Sequence, residues 1–105
     1  MASIHETLIA DEAAAAVDPD LRARARVAYE LATAEGRIDL RAHMDAITYG
    51  RAIAHNGRLA RLAVYLGLRD RSTVGGGALG YLDRQTVESD IRMAHLRAEN
   101  LWGRK

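Results

Sequence analysis

The sequence predicts an all-α protein, a helix-turn-helix bundle of about six helices. Three observations predict it. Pro occurs once and Phe never, while Ala, Leu and Arg dominate, a composition that favours helix along nearly the whole chain. Apolar residues recur every three or four positions in successive segments, as a single buried helical stripe requires. No stretch of useful length alternates with period two, so no strand is expected.

The elements follow in order. Ser3 caps a first helix running to about Val17, with Ile4, Leu8 and Ala15 on one face. Asp18-Pro19 reads as an N-cap followed by an N1 proline. The second helix then runs to about Glu35, with Leu21, Ala25, Ala28, Leu31 and Ala32 turned inward, and Gly36 ends it. Asp39 is expected to cap a third helix from Leu40 to about His55, facing Leu40, Met44, Ile47 and Ala54 toward the core. Asn56-Gly57 reads as a helix stop. A short fourth helix from Arg58 to about Leu66 would bury Leu59, Leu62, Ala63 and Leu66, with Gly67 ending it. A fifth helix is expected from Ser72 to Leu82. The last, from about Thr86 to Trp102, shows the cleanest stripe in Val87, Ile91, Ala94, Ala98 and Leu101.

A chain of 105 residues supports one domain, or one domain with an addition. Residues 1–35 read as N-terminal helices with an acidic first arm, and residues 36–105 as the helix-turn-helix domain. The chain has no Cys, which removes disulfides, thiolate metal sites and Cys nucleophiles. No long apolar run and no basic leader is visible, so a cytoplasmic, nucleoid-associated protein is expected, without membrane contact. His5, His43, His55 and His95 fall in different helices with no i, i+4 pair, so no metal, no cofactor and no His-based catalysis is expected. The chain does not read as an enzyme.

The net charge of +1 conceals an asymmetry. Residues 1–20 carry Glu6, Asp11, Glu12, Asp18 and Asp20 and no Lys or Arg. Residues 21–82 carry ten Arg against five acids. A basic body of this kind suits an anionic partner. Arg58 to Val74 has the grammar of a helix-turn-helix: a short helix with small and aliphatic inner residues, a turn containing Gly67, and a second segment opening Ser72-Thr73-Val74. Hydroxyl side chains at such an N-terminus bond phosphates or base edges. Gly75-Gly76-Gly77 lies at the start of that segment. With Gly80 it spells G-x-G-x-x-G, but no preceding strand supports a dinucleotide site. Close approach of backbone to DNA at Gly76 is one reading, and a helix that orders only on DNA is another.

The turn Gly67-Leu68-Arg69-Asp70-Arg71-Ser72-Thr73-Val74 resembles the Gly-Gly-Arg-Asp-His-Thr-Thr-Val signature of the C-terminal DNA-binding domain of the bacterial replication initiator DnaA. Ala46-Ile47-Thr48-Tyr49-Gly50-Arg51-Ala52 is similar to that family's Tyr-Leu-Ala-Arg helix. Arg58 to Ala63 stands where the family has Ser-Leu-Pro-Glu-Ile-Gly. The resemblance covers about residues 36–102 and implies a Trp-repressor-like helical arrangement. It implies that Asp70, Arg71, Ser72 and Thr73 contact bases and phosphates, and that Arg69 lies at the turn beside the backbone. It places Arg58 and Leu59, with Arg61 on the same helix, at phosphates, and Arg37 or Arg41 in the minor groove. The chain departs from the family at Met44 and Asp45, which replace Arg-Gln, and at Arg71, which replaces His. It also carries no ATPase motif, so it is not itself an initiator. Stand-alone domains of this kind activate gene-transfer-agent and prophage-like clusters in alphaproteobacteria. That analogy implies a transcription regulator of double-stranded DNA, reading the major groove with helix 72–82, with a co-activator or RNA polymerase as partner. The alternatives are a protein-interaction adaptor of phage or prophage origin and a replication accessory that binds initiator-type boxes. Target sequence, sign of regulation and oligomeric state are not legible.

Overall fold

The computed structural model describes residues 3–74 and 79–102, the last two as backbone only. Among these residues there are four α-helices and no strand: α1 (Ile4–Ala16), α2 (Pro19–Glu35), α3 (Ala46–Tyr65) and α4 (Arg84–Trp102). Two short 3₁₀ turns, Leu40–Ala42 and Arg71–Thr73, lie in the connections on either side of α3. The protein is all-helical. No helix among the described residues is long and apolar enough to cross a membrane.

Local chemistry sets each start. Ser3 accepts the Glu6 N–H through its hydroxyl at 3.1 Å. Asp18 accepts from Asp20 and Leu21 at 3.0 and 3.1 Å, with Pro19 just inside α2, as expected for an N-cap and N1 pair. Gly36 ends α2 with φ +81°, a left-handed conformation that suits glycine.

The core is built on α2, which packs against both α3 and α4. Leu21, Ala25 and Ala28 of α2 meet Leu62, Tyr65 and Leu66 from α3 and its C-cap. Val87, Ile91 and Ala94 of α4 close the cluster, with Ala15 of α1 and Leu82 at its edge. The cluster therefore draws on both sides of the boundary expected at residues 35 and 36. Alanine at three buried α2 positions lets the helices approach closely, so the core gains contact area without large side chains.

Three expectations are corrected. The third and fourth helices are one: α3 runs unbroken through Asn56 and Gly57. A single Gly in a helix costs about 1 kcal/mol against Ala, and the buried Ala52, His55, Leu62 and Tyr65 outweigh it. Asp39 caps only a 3₁₀ turn, and the N-cap of α3 is Asp45, which accepts from Ile47 and Thr48. The inward face also differs: Met44 is 97% exposed, and Ile47 and Ala54 are exposed as well. In α1, Ile4 points to solvent, while Leu8 is half-buried and Ala15 fully buried.

The third correction concerns the expected helix 72–82. Residues 71–73 form a single 3₁₀ turn, Val74 is extended, and Leu79 to Asp83 are not helical. Residues 75–78, including Gly76, lie outside the described residues. Three consecutive glycines give that segment little helix propensity of its own. Leu82, at the expected helix's end, is instead a non-helical residue buried in the core.

Leu21 is fully buried at the centre of the cluster. Leu21→Ala is expected to lower the unfolding free energy by about 2–5 kcal/mol, read from the midpoint of urea denaturation.

Candidate functional site

Two turns carry most of the expected contact residues, and each is built by its own polar side chains. The first follows α3. Gly67, at φ +75°, donates to Val64 O at 3.1 Å, and Leu68 donates to Ala63 O at 2.9 Å. These two bonds make a Schellman cap, which turns the chain back across the end of the helix. Asp70 then caps the 3₁₀ turn, accepting from the Ser72 N–H at 2.8 Å and the Ser72 hydroxyl at 2.7 Å. Those two donors hold its carboxyl below the usual aspartate range. The Thr73 hydroxyl donates to Asp70 O at 2.7 Å, and Arg69 donates to the Thr73 hydroxyl and carbonyl at 3.0 Å each. Arg69, Asp70, Ser72 and Thr73 thus form one exposed, internally bonded loop.

The second turn follows α2 and is anchored from α3. Asn56 accepts the Ile38 N–H at 3.0 Å and donates to Ile38 O at 2.9 Å. His55 Nε2 lies 2.8 Å from Gly36 O. This double anchor fixes Arg37 on the surface, where no carboxylate pairs with it among the described residues. Arg41 is almost fully exposed, and among the described residues its carboxylate partner is Asp39 at 3.5 Å.

Residues of both turns line one groove of about 720 Å³. Arg37 and Leu40 line one side, Leu68, Arg69 and Val74 the other, and Ile53, Leu59, Ala60 and Ala63 of α3 the floor. Arg37, Leu59 and Arg69, which the sequence places far apart, therefore line one groove. No acidic residue lines this groove.

Other expected contact residues lie elsewhere. Arg58 is only 6% exposed and its Nε has no hydrogen-bond partner among the described residues, so little of it is presented to a phosphate at the surface. Burial lowers the pKa of its guanidinium, with Asp90 acting in the opposite direction. Arg61 is also turned inward, donating to both Asp90 oxygens at 2.8 Å. Beside them Arg97 of α4 forms a two-pronged pair with Glu35 at 2.6 and 2.5 Å, and His55 Nδ1 stands 3.6 Å from the same carboxylate. Arg71 is exposed but pairs with Glu12 of α1. Tyr65 is buried, its hydroxyl donating to Ala15 O at 2.6 Å, and Tyr81 contacts His5.

Sequence reasoning missed Asn56, Asp90, Glu35 and Arg97. The signal was present but chemically disguised. The buried residues of α3 are Ala52, His55, Arg58, Leu62, Ala63 and Tyr65, and a search for apolar residues alone passes over two of these six positions.

No family model, no curated protein and no solved structure matches the chain. Among the described residues, no group of three or more His, Cys, Asp and Glu is placed to hold a metal ion.

Two outcomes are expected. Hydrogen bonds from Arg97 hold the Glu35 pKa below its ordinary value, with burial acting in the opposite direction. A carboxyl depressed in the folded state adds stability above its unfolded pKa and loses it as pH falls through the folded one. Glu35→Gln should therefore shrink the stability difference between neutral and acidic pH, measured by urea denaturation across pH 2 to 7. Asn56→Ala removes both anchors of Ile38. Hydrogen exchange at the Ile38 amide should then accelerate by at least about fivefold, while circular dichroism shows α3 retained.

Proposed function

We propose that the chain is a sequence-specific double-stranded DNA-binding protein of the helix-turn-helix type, with an arrangement like DnaA domain IV, and that it regulates transcription. The carrying observation is the convergence of Arg37 and Arg69, from turns on either side of α3, on one surface without acidic lining. Arg41, four residues on in the same connection, keeps its charge in solvent. Ser72 and Thr73 lie on the same exposed loop as Arg69. Guanidinium groups so placed suit phosphate oxygens and guanine edges.

The contact set is narrower than the sequence suggested. Arg58 and Arg61 serve the interior, and Arg71 is engaged by Glu12. The presenting element in this reading is the Asp70-capped turn rather than a helix over 72–82. Arg37 or Arg41 supplies the minor-groove or phosphate contact from the neighbouring turn. No catalysis is assigned. A co-activator or RNA polymerase is the expected protein partner, and control of a gene-transfer-agent or prophage-like cluster the expected setting.

DNA pull-down with fragment sequencing followed by a salt titration tests the reading. A discrete motif should be enriched. The double variant Arg37→Ala with Arg69→Ala should bind the motif at least about tenfold more weakly, and lower the slope of log affinity against log salt by roughly two. Arg92→Ala, exposed on α4 away from the groove, should bind as the parent does. Enrichment of random fragments, or a salt slope unchanged by the double variant, would overturn the proposal.

A further inference from the structure

The same groove has a property that phosphate binding does not use, an apolar concave floor. Ile53 and Leu68 are 47% and 52% exposed, and Leu59 and Ala60 lie half-exposed between them. Isolated apolar residues at a surface are ordinary. Here they line one depression, and they are flanked by two guanidinium groups with no carboxylate partner among the described residues. Among the described residues, neither flanking turn's aspartate lines it. Asp39 and Asp70 direct their carboxylates to N–H groups of their own turns.

We propose that this groove docks an acidic amphipathic helix of a partner protein. Charge and shape both select that occupant. The floor follows α3 from Ile53 through Ala60 to Ala63, spaced seven and three residues apart. At 1.5 Å per residue this is a track of about 15 Å, close to three helical turns. The small side chains at its far end leave room for a helix to lie close. A volume of about 720 Å³ lies within the usual range for a ligand cleft. Apolar anchors at i, i+3 or i+4 and i+7 of the guest fill the floor, and carboxylates on its flanks meet Arg37 and Arg69. A basic or neutral helix satisfies only half of these contacts. The chain's own acidic helix α1 is already engaged within the molecule, with Glu12 on Arg71 and Asp11 accepting the Arg84 N–H at 2.7 Å. DNA and the guest helix share Arg37 and Arg69, so they exclude each other. The apolar floor, which carries the inference, is independent of the DNA reading.

Fluorescence anisotropy with three labelled designed helical peptides tests it on the full chain. The first carries Leu anchors with Glu flanks, the second replaces Glu by Lys, and the third replaces Leu by Ser. The first should bind at least tenfold more tightly than either of the others. Ile53→Ser and Leu68→Ser should each weaken that peptide at least fivefold, and Ile53→Ser should leave affinity for the enriched DNA motif unchanged. Arg69→Ala should weaken both ligands, and excess DNA should displace the peptide. Thermal melts of the two Ser variants establish that they fold, since both positions are half-exposed. Equal binding of the three peptides overturns the proposal, as does indifference to both Ser substitutions. A concentration-dependent dimer in sedimentation that both Ser variants abolish, with no peptide bound, would assign the groove to a second copy and equally overturn it. Failure to enrich a DNA motif leaves the peptide results to stand alone, so the two readings fail separately.

Discussion

The structure depends on one constraint: a core made largely of Ala and Leu has to accommodate arginines that reach inside it. A guanidinium cannot shed its charge, so each one drawn inward is costly to bury without an oxygen. Arg22 reaches the C-terminal ends of two helices, donating to Ala16 O at 3.2 Å and to Tyr65 O at 3.0 Å, and also to Leu66 O at 3.3 Å. It lies 5.4 Å from the centre of the Tyr65 ring at the same time. Arg61 takes Asp90, and Arg97 takes Glu35. These pairs join α3 to α4 and α4 to α2. Buried pairs of this sort add little net stability over apolar residues, but they penalise every packing that leaves one partner alone. With so few bulky side chains to enforce register, that penalty favours one arrangement of the helices.

The same constraint explains what was legible in the sequence and what was not. Caps at Ser3 and Asp18 and the stop at Gly36 are local signals, read from neighbours in the chain, and the structure places them where expected. The α4 stripe was equally plain because Val87, Ile91 and Ala94 are apolar and buried. For α3, the competing signals were tertiary. Asn56 is a helix stop only if its amide has nothing better to bind, and here it binds Ile38 from within the helix. The inner face of α3 carries His55 and Arg58, so a hydropathy pattern read there gives the wrong register. Within the candidate site, Arg37, Leu59 and Arg69 come to line one groove only through the packing of the helices. Composition and spacing alone contain nothing about it.

Charge along the chain also changes meaning once the helices are placed. The acidic N-terminal arm is a set of counterions for particular basic groups. Asp18 meets Arg84 at 2.7 Å, Asp11 accepts the first N–H of α4, and Glu12 meets Arg71. Arg24 bridges Asp20 and Glu88. Much of the arginine excess is consumed by this stitching, and the positive surface that survives includes Arg37 and Arg41 in the turn before α3 and Arg69 in the turn after it. Net charge by segment was the better guide to the existence of that surface. Individual partners decide its extent.

The attachment of α1 has a consequence for how the molecule breathes. Only Ala15 of this helix is fully buried, and Ile4 and Ile9 remain in solvent. What holds it is the Tyr65 hydroxyl, the Arg22 guanidinium and ion pairs exposed to salt. Contacts of that kind open at small free energy, whereas α2, α3 and α4 share a core that opens only with the whole fold. Release of α1 with the other three helices in place would uncover Arg71 and the amino end of α4, and ionic strength weakens the ion-pair part of what opposes it without weakening the core.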